Sequence, residues 1–193
     1  MTVEAAVRGS YSTPPMSDTE LLPILFAPDA RLRAKARAIG PGDADTVRAI
    51  APRMLATMYK APGIGLAAPQ VGSLLRLVVI DLQPDDKPEP YVMVNPEIVA
   101  LSQELAAREE GCLSLPNQYA EVTRPAQVKV RWQELDGSKR EMTADGLLAT
   151  CIQHEVDHLN GVLFVDHISA LKRNMLLRKL AKELKNRDRD DEA

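Results

Sequence analysis

The most informative segment of the chain is His154-Glu155-Val156-Asp157-His158, in which two histidines stand four residues apart. On a helix this spacing brings the two side chains to one face, about 5–6 Å apart at Cβ, where both imidazoles can hold one metal ion. A glutamate directly after the first histidine can take a proton from a water molecule that such a metal activates. The chain has only 3 histidines, and this segment contains two of them. The pattern therefore predicts a metallohydrolase with His154 and His158 as metal ligands.

A third ligand is needed, and the sequence offers several candidates. Peptidases of the HExxHxxGxxH type would have a histidine where this chain has Phe164, which disfavours that group. Cys151 shares a helix face with the first histidine, but it lies about 10.5 Å along the helix axis from the second, too far for one metal to bind both. Cys112 can reach the helix from a strand end or loop. His167 follows the helix stop at Gly161, and we expect it to be a surface or capping residue.

The two cysteines could instead form a disulfide. Two cysteines in 193 residues, with no secretory signal, indicate a reducing compartment and favour free thiols. A buried free cysteine is also a common core residue. The interpretation as a buried core residue suits Cys151 better than Cys112.

Three segments together resemble the peptide deformylase family. They are residues 63–72 (GIGLAAPQVG), 110–116 (EGCLSLP) and 153–159 (QHEVDHL), in the order and spacing of that family. The resemblance implies one divalent metal, bound by Cys112, His154 and His158. It favours ferrous iron, while zinc, nickel and cobalt suit the same ligands.

The resemblance also implies a reaction and a substrate. Glu155 would be the general acid and base, and the Gln70 side-chain amide and the Leu113 backbone N–H would bind the oxyanion. The substrate would be a nascent peptide with an N-terminal formylmethionine, from which formate is released. It would lie extended along the backbone at Gly63, Gly65 and residues 111–113, which are Gly111-Cys112-Leu113.

The methionine side chain would need an apolar pocket. Ile64, Leu147 and Cys151 could form its walls, and ordinary core packing is the alternative interpretation of these three residues. Some relatives carry an arginine in the stretch where this chain has Asn117-Gln118-Tyr119. An arginine-mediated contact with the peptide backbone is therefore not carried over.

The first segment also fits the G-x-G-x-x-A pattern of dinucleotide-binding proteins. Its context is wrong for that function, because a helix-like stretch precedes it and a strand follows it. We therefore interpret Gly63 and Gly65 as positions where a ligand approaches the backbone closely.

The helices and strands that the sequence indicates around these residues predict an α+β fold, with mainly antiparallel strands around a central HExxH helix and a C-terminal helix. Helices are expected at residues 43–59, 145–160 and 169–186, with Pro52 kinking or dividing the first. Strands are expected at residues 74–81, 91–101, 118–123, 126–134 and 138–143. Residues 17–193 are expected to form a single catalytic domain, after a disordered extension at residues 1–16. Met16 is an alternative start.

Composition narrows the partners and the location. No apolar stretch approaches the roughly 18 residues of a membrane helix, so we expect a cytoplasmic enzyme that contacts neither membrane nor DNA. The net charge is −3, but residues 172–193 alone carry +3. The basic C-terminal helix could contact ribosomal RNA, or it could be a solvated surface.

Two other functions use the same motif. A zinc peptidase would complete its site with Glu183 or His167 in place of Cys112. A metal-stabilised binding module would hold the metal without turnover.

Overall fold

The computed structural model describes residues 20–191, which contain three α-helices and seven strands, together with short 3-10 helices and loops. The helices are α1 (Ala44–Lys60), α2 (Gly146–Leu159) and α3 (Ala170–Asp191). The strands are β1 (Gly65–Ala67), β2 (Leu77–Ile80), β3 (Tyr91–Leu101), β4 (Leu105–Cys112), β5 (Leu115–Pro125), β6 (Gln127–Gln133) and β7 (Lys139–Asp145). The expectations for residues 1–16 and for Met16 concern residues that lie outside the described part.

The strands form two antiparallel sheets. One has five strands in the order β1-β2-β3-β6-β7, and the other is the β4-β5 hairpin. Buried and exposed residues alternate along β5 and β6, as expected for strands with one face on a core. The α+β prediction is confirmed.

Helix α2 is the central element of the fold. Ile152, Val156 and Leu159 pack into a core with Val78 and Val130 of the large sheet. The run from residue 149 to residue 156 is buried on every side, which is the pattern of a helix enclosed by other elements. The helix ends at Leu159, and Gly161 follows with φ +74°, a conformation that glycine adopts without strain.

Several boundaries differ from the sequence prediction. The strand predicted at residues 74–81 is observed as the shorter β2, because Leu74 and Arg76 instead exchange backbone hydrogen bonds with Arg37. Strands β1 and β4 were not predicted. The β4 sequence LAAREEGC is rich in alanine and glutamate, which are depleted in strands, so its pairing with β5 overrides its local preference.

The expected division of α1 at Pro52 is wrong, because the helix is continuous from Ala44 to Lys60. A proline removes one N–H and leaves the carbonyl four residues earlier without its helical partner. That carbonyl belongs to Arg48, an exposed residue, so water can satisfy it. The C-terminal helix is longer than expected and reaches Asp191. No helix among residues 20–191 has the length and apolar character needed to cross a membrane.

Candidate active site

Helix α2 and the end of β4 bring three potential metal ligands to one point. His154 and His158 face the same side of α2, with their Nε2 atoms 3.2 Å apart. Cys112 is the last residue of β4, and its Sγ lies 3.2 Å from His158 Nε2. The three ligand atoms all lie within 4.8 Å of one another, and within residues 20–191 they are the only such group of histidine, cysteine or carboxylate side chains.

A buried ionic network holds His154 from behind. The Nδ1 atom of His154 lies 2.9 Å from Glu110 Oε2. Arg124 donates two hydrogen bonds to Glu110, of 2.6 and 3.0 Å, and a third of 2.8 Å to Asp157. Burial alone would raise the pKa of Glu110, but the hydrogen bonds from His154 and Arg124 lower it to about 2. The charged carboxylate fixes the ring so that Nε2 remains available to a metal, as is usual behind metal-bound histidines.

Sequence reasoning assigned no role to this network. Glu110 stands inside the second segment, next to Gly111, so its position was a usable signal. Nothing local pointed to Arg124, which lies on the partner strand opposite Ala106.

Glu155 adjoins the three ligands from within α2. Its side chain is buried, and its Oε2 atom has no hydrogen-bond partner among the described residues. Burial raises the pKa of this carboxyl to about 7. A carboxyl with this pKa can accept and return a proton near neutral pH.

Gln70 supplies an oriented amide beside Cys112. The Ala67 N–H donates to Gln70 Oε1 over 2.8 Å, which fixes the NH₂ group toward the cysteine side. Its Nε2 atom lies 3.2 Å from Ser114 Oγ and 3.5 Å from Cys112 Sγ. Leu113 follows the cysteine directly and lines the same cleft.

These groups lie along a cleft of about 550 Å³. Gly63, Gly65 and Gly111 line it, together with the three residues suggested as pocket walls. Ile64 is 40% exposed and Leu147 is 47% exposed, so the core-packing interpretation is wrong for both. Cys151 is buried, and burial raises the pKa of its thiol.

Glycine is required where β1 approaches α2. A Cβ atom at position 65 would overlap Glu155 Oε1 and lie 2.8 Å from Cys151 Sγ. At position 111 it would lie 2.5 Å from the ring of Tyr119, its cross-strand partner.

Both cysteines are free thiols, as the sequence favoured.

The alternative third ligands are elsewhere. His167 Nε2 lies 2.7 Å from Asp157 Oδ2, at the far end of the ionic network. Glu183 accepts a hydrogen bond of 3.1 Å from Gln118 Nε2. Neither belongs to the group of potential ligands, so both suggestions for a peptidase site are wrong.

Two histidines of an HExxH helix, a cysteine from a strand end and a buried glutamate beside an open cleft define a mononuclear metallohydrolase. Comparison with known proteins specifies which kind. The sequence profile of the polypeptide deformylase family matches residues 21–174.

Curated relatives agree over most of the chain. The peptide deformylase of Mesorhizobium japonicum is 52% identical over 166 residues, which are 86% of this chain and 94% of that protein. The peptide deformylase of Zymomonas mobilis is 53% identical over 173 residues, covering 87% of this chain and 97% of that protein.

Solved structures agree as well. A peptide deformylase from Legionella pneumophila superposes with a TM-score of 0.82 at 46% identity, over 88% of this chain and 99% of that one. One from Synechococcus elongatus, in complex with actinonin, has a TM-score of 0.77 at 46% identity, over 82% of this chain and 86% of that one. The chain belongs to the polypeptide deformylase family, a family of hydrolases that remove the N-formyl group from nascent peptides.

Proposed function

We propose that this site removes the formyl group from the N-terminal formylmethionine of newly made polypeptides and releases formate. The observation that carries the proposal is the buried Glu155 carboxyl next to the Cys112, His154 and His158 group at the side of an open cleft, with its Oε2 atom unpartnered among the described residues. A closed structural metal site would have no use for such a group.

The metal ligands would be the thiolate of Cys112 and the Nε2 atoms of His154 and His158. Their types fit a divalent metal, because thiolate and imidazole suit iron, zinc, nickel and cobalt, and Glu110 already orients one imidazole. When bound, the metal supplies the Lewis acidity that makes water a nucleophile near neutral pH. We propose ferrous iron as the physiological metal, with the other three able to occupy the same ligands.

Glu155 would carry the proton through the reaction. As the carboxylate it takes a proton from the attacking water, whose oxygen then bonds to the formyl carbon. The same carboxyl then gives the proton to the amide nitrogen as the C–N bond breaks. Formate and a free amino terminus result. Burial favours the protonated form of Glu155, which helps the carboxyl to hold the proton between the two halves of this cycle.

Two donors would stabilise the negative oxygen that forms on the attacked carbon. One is the Gln70 amide, which the Ala67 N–H holds in orientation, and the other is the Leu113 backbone N–H. Donors fixed before the reaction cost no reorganisation when the charge develops.

The peptide would bind as an added strand between β1 and β4. The glycines at positions 63, 65 and 111 leave the backbone open to close approach from the cleft. The methionine side chain would enter the pocket of Ile64, Leu147 and Cys151; Ile64 and Leu147 expose apolar surface to the cleft.

Formate release tests this proposal directly. Protein purified without oxygen and loaded with Fe²⁺ is expected to release formate from a formyl-Met tripeptide and nothing from the acetylated peptide. Loading with zinc, nickel or cobalt then ranks the metals by kcat/KM. Bound metal without formate would refute the function and favour the binding-module interpretation.

We also propose that the enzyme works in the cytoplasm and meets its substrate at the ribosome through α3. Lys172, Arg178, Lys179, Lys182 and Lys185 are all exposed on this helix. Clustered cations attract RNA phosphates, and such binding weakens steeply with salt. Cosedimentation with ribosomes should therefore fall when three of these lysines are changed to glutamate. Unchanged cosedimentation would mean that the helix is simply solvated.

A further inference from the structure

The distal half of α3 lies against one wall of the active-site cleft. Glu183 accepts a hydrogen bond from Gln118 of β5. One turn further on, the guanidinium carbon of Arg187 stands 4.6 Å from the centroid of the Phe26 ring.

Phe26 belongs to the cleft. Its segment is fixed to both loops that carry the proposed oxyanion donors, because the Leu25 N–H donates to the Gln70 carbonyl over 2.8 Å and the Ala27 N–H donates to the Ser114 carbonyl over 3.0 Å. Phe26 and Ile24 line the cleft together with Pro116 and Asn117. A contact with Phe26 therefore has a fixed position relative to the reacting groups.

The Arg187 side chain is exposed, and its guanidinium contacts the face of the Phe26 ring. Among the side chains that the structure describes, it forms no ion pair. Stacking of arginine on an aromatic ring leaves the planar set of N–H donors free to bind a carboxylate. Arg187 itself stands behind the cleft residue Phe26 rather than in the cleft lining. Glu109 on β4 is a lining residue of the opposite charge.

We propose that Arg187, placed by Phe26, is a specificity-determining residue that favours an acidic side chain at the second or third position of the formylated peptide. The proposal rests on the proposed function. Consecutive side chains of an extended peptide point in opposite directions at about 3.3 Å per residue, so the residues after methionine alternate between the walls of the cleft. An acidic side chain next to Arg187 gains an ion pair, and one next to Glu109 does not.

The test uses peptides that differ only in charge. We would measure kcat/KM for formyl-Met-Glu-Ser against formyl-Met-Gln-Ser, and for formyl-Met-Ala-Glu against formyl-Met-Ala-Gln. In Arg187→Gln the ratio of acidic to neutral peptide should fall about two- to five-fold at one position, the range of an exposed ion pair, while the neutral peptides keep their rates. High salt should reduce the difference.

Arg178→Gln is the matched control. It removes the same charge from the same helix, but a separation of about two and a half turns places it on the opposite face. Its ratios should equal those of the unchanged protein. The proposal is overturned by unchanged ratios in Arg187→Gln, by an equal fall in Arg178→Gln, or by slower cleavage of the neutral peptides in Arg187→Gln. If the unchanged protein cleaves no formyl peptide at all, the proposed function itself has failed.

Discussion

In the proposed mechanism, neighbouring side chains of α2 have opposite tasks at the site. His154 needs a fixed ring, and the charged Glu110 carboxylate supplies the restraint over 2.9 Å. Glu155 needs freedom to change protonation, and the structure leaves its Oε2 without a partner among the described residues. Their different surroundings, rather than the motif alone, separate ligand from acid–base residue.

Replacing Glu155 with glutamine tests the acid–base role. The amide has nearly the same shape but cannot carry the proton, so turnover should fall by about 10²- to 10⁴-fold while the metal content stays normal. Formate assays and metal analysis on the same preparation measure both. Substantial surviving activity would remove Glu155 from the mechanism.

The same substitution should change the stability of the metal-free protein in a pH-dependent way. Burial raises the pKa of Glu155 from 4.5 to about 7. Folding therefore takes up a proton between these values, and the stability linked to this carboxyl is present below pH 4.5 and lost as the pH rises through about 7. Glu155→Gln should raise Tm at pH 8 and leave it nearly unchanged at pH 4.5. Equal shifts at both pH values would contradict burial as the cause.

Gln70→Ala isolates one oxyanion donor. Loss of such a donor typically costs about 2.7–4 kcal/mol of transition-state stabilisation, which would appear in kcat. Metal content should remain near that of the unchanged protein, because Gln70 is not a ligand. A parallel loss of metal would instead assign the residue to site assembly.

At the scale of elements, β1 has three residues, yet it fixes how closely the sheet approaches α2. We predict that Gly65→Ala lowers both turnover and stability, because the methyl group would overlap Glu155 and crowd Cys151. Overpacking of this kind costs about 1–3 kcal/mol of unfolding free energy. Formate assays and denaturant unfolding provide the two measurements.

Gly42→Ala is the control for that substitution. Position 42 has no heavy atom within 4 Å of an added Cβ, so the same chemical change should be silent there. Equal effects at positions 42 and 65 would show that loss of glycine flexibility, rather than contact with Glu155, is responsible.

The elements also show what sequence could predict. Periodicity and turn signals predicted the bounds of α2 and β3 to within one residue, because both follow a strong apolar pattern. The HExxH spacing predicted that His154 and His158 lie together, because residues four apart share one face of a helix. The hairpin strand β4 has no such pattern, so the position of Cys112 relative to α2, and the whole Glu110–Arg124 network, depend on pairing between distant segments that no local rule describes.

At the scale of the molecule, Arg124 connects the hairpin to α2. Its side chain is 6% exposed and pairs with both Glu110 and Asp157. Arg124→Met leaves two carboxylates without their common cation, one of them fully enclosed, and should lower the unfolding free energy by about 3–5 kcal/mol. Denaturant unfolding of the metal-free protein checks this value.

Arg131→Met provides the comparison. Arg131 also pairs with a carboxylate, Glu141, but its side chain is 54% exposed, and water can replace the pairing. The unfolding free energy of Arg131→Met should therefore differ little from that of the unchanged protein. Similar losses for the two variants would mean that burial of the network contributes nothing.

The three potential ligands come from two distant parts of the chain, which must meet during folding before the group is complete. Cys112 and His158 are 46 positions apart, and the chain between them includes β5, β6 and β7. Helix α2 can form early and locally, but on its own it carries only two of the three potential ligands. The third arrives when the hairpin docks, after a long loop has closed. Metal capture should therefore be a late step that locks an already assembled chain, and the affinity of the ion becomes part of the free energy that keeps hairpin and helix together.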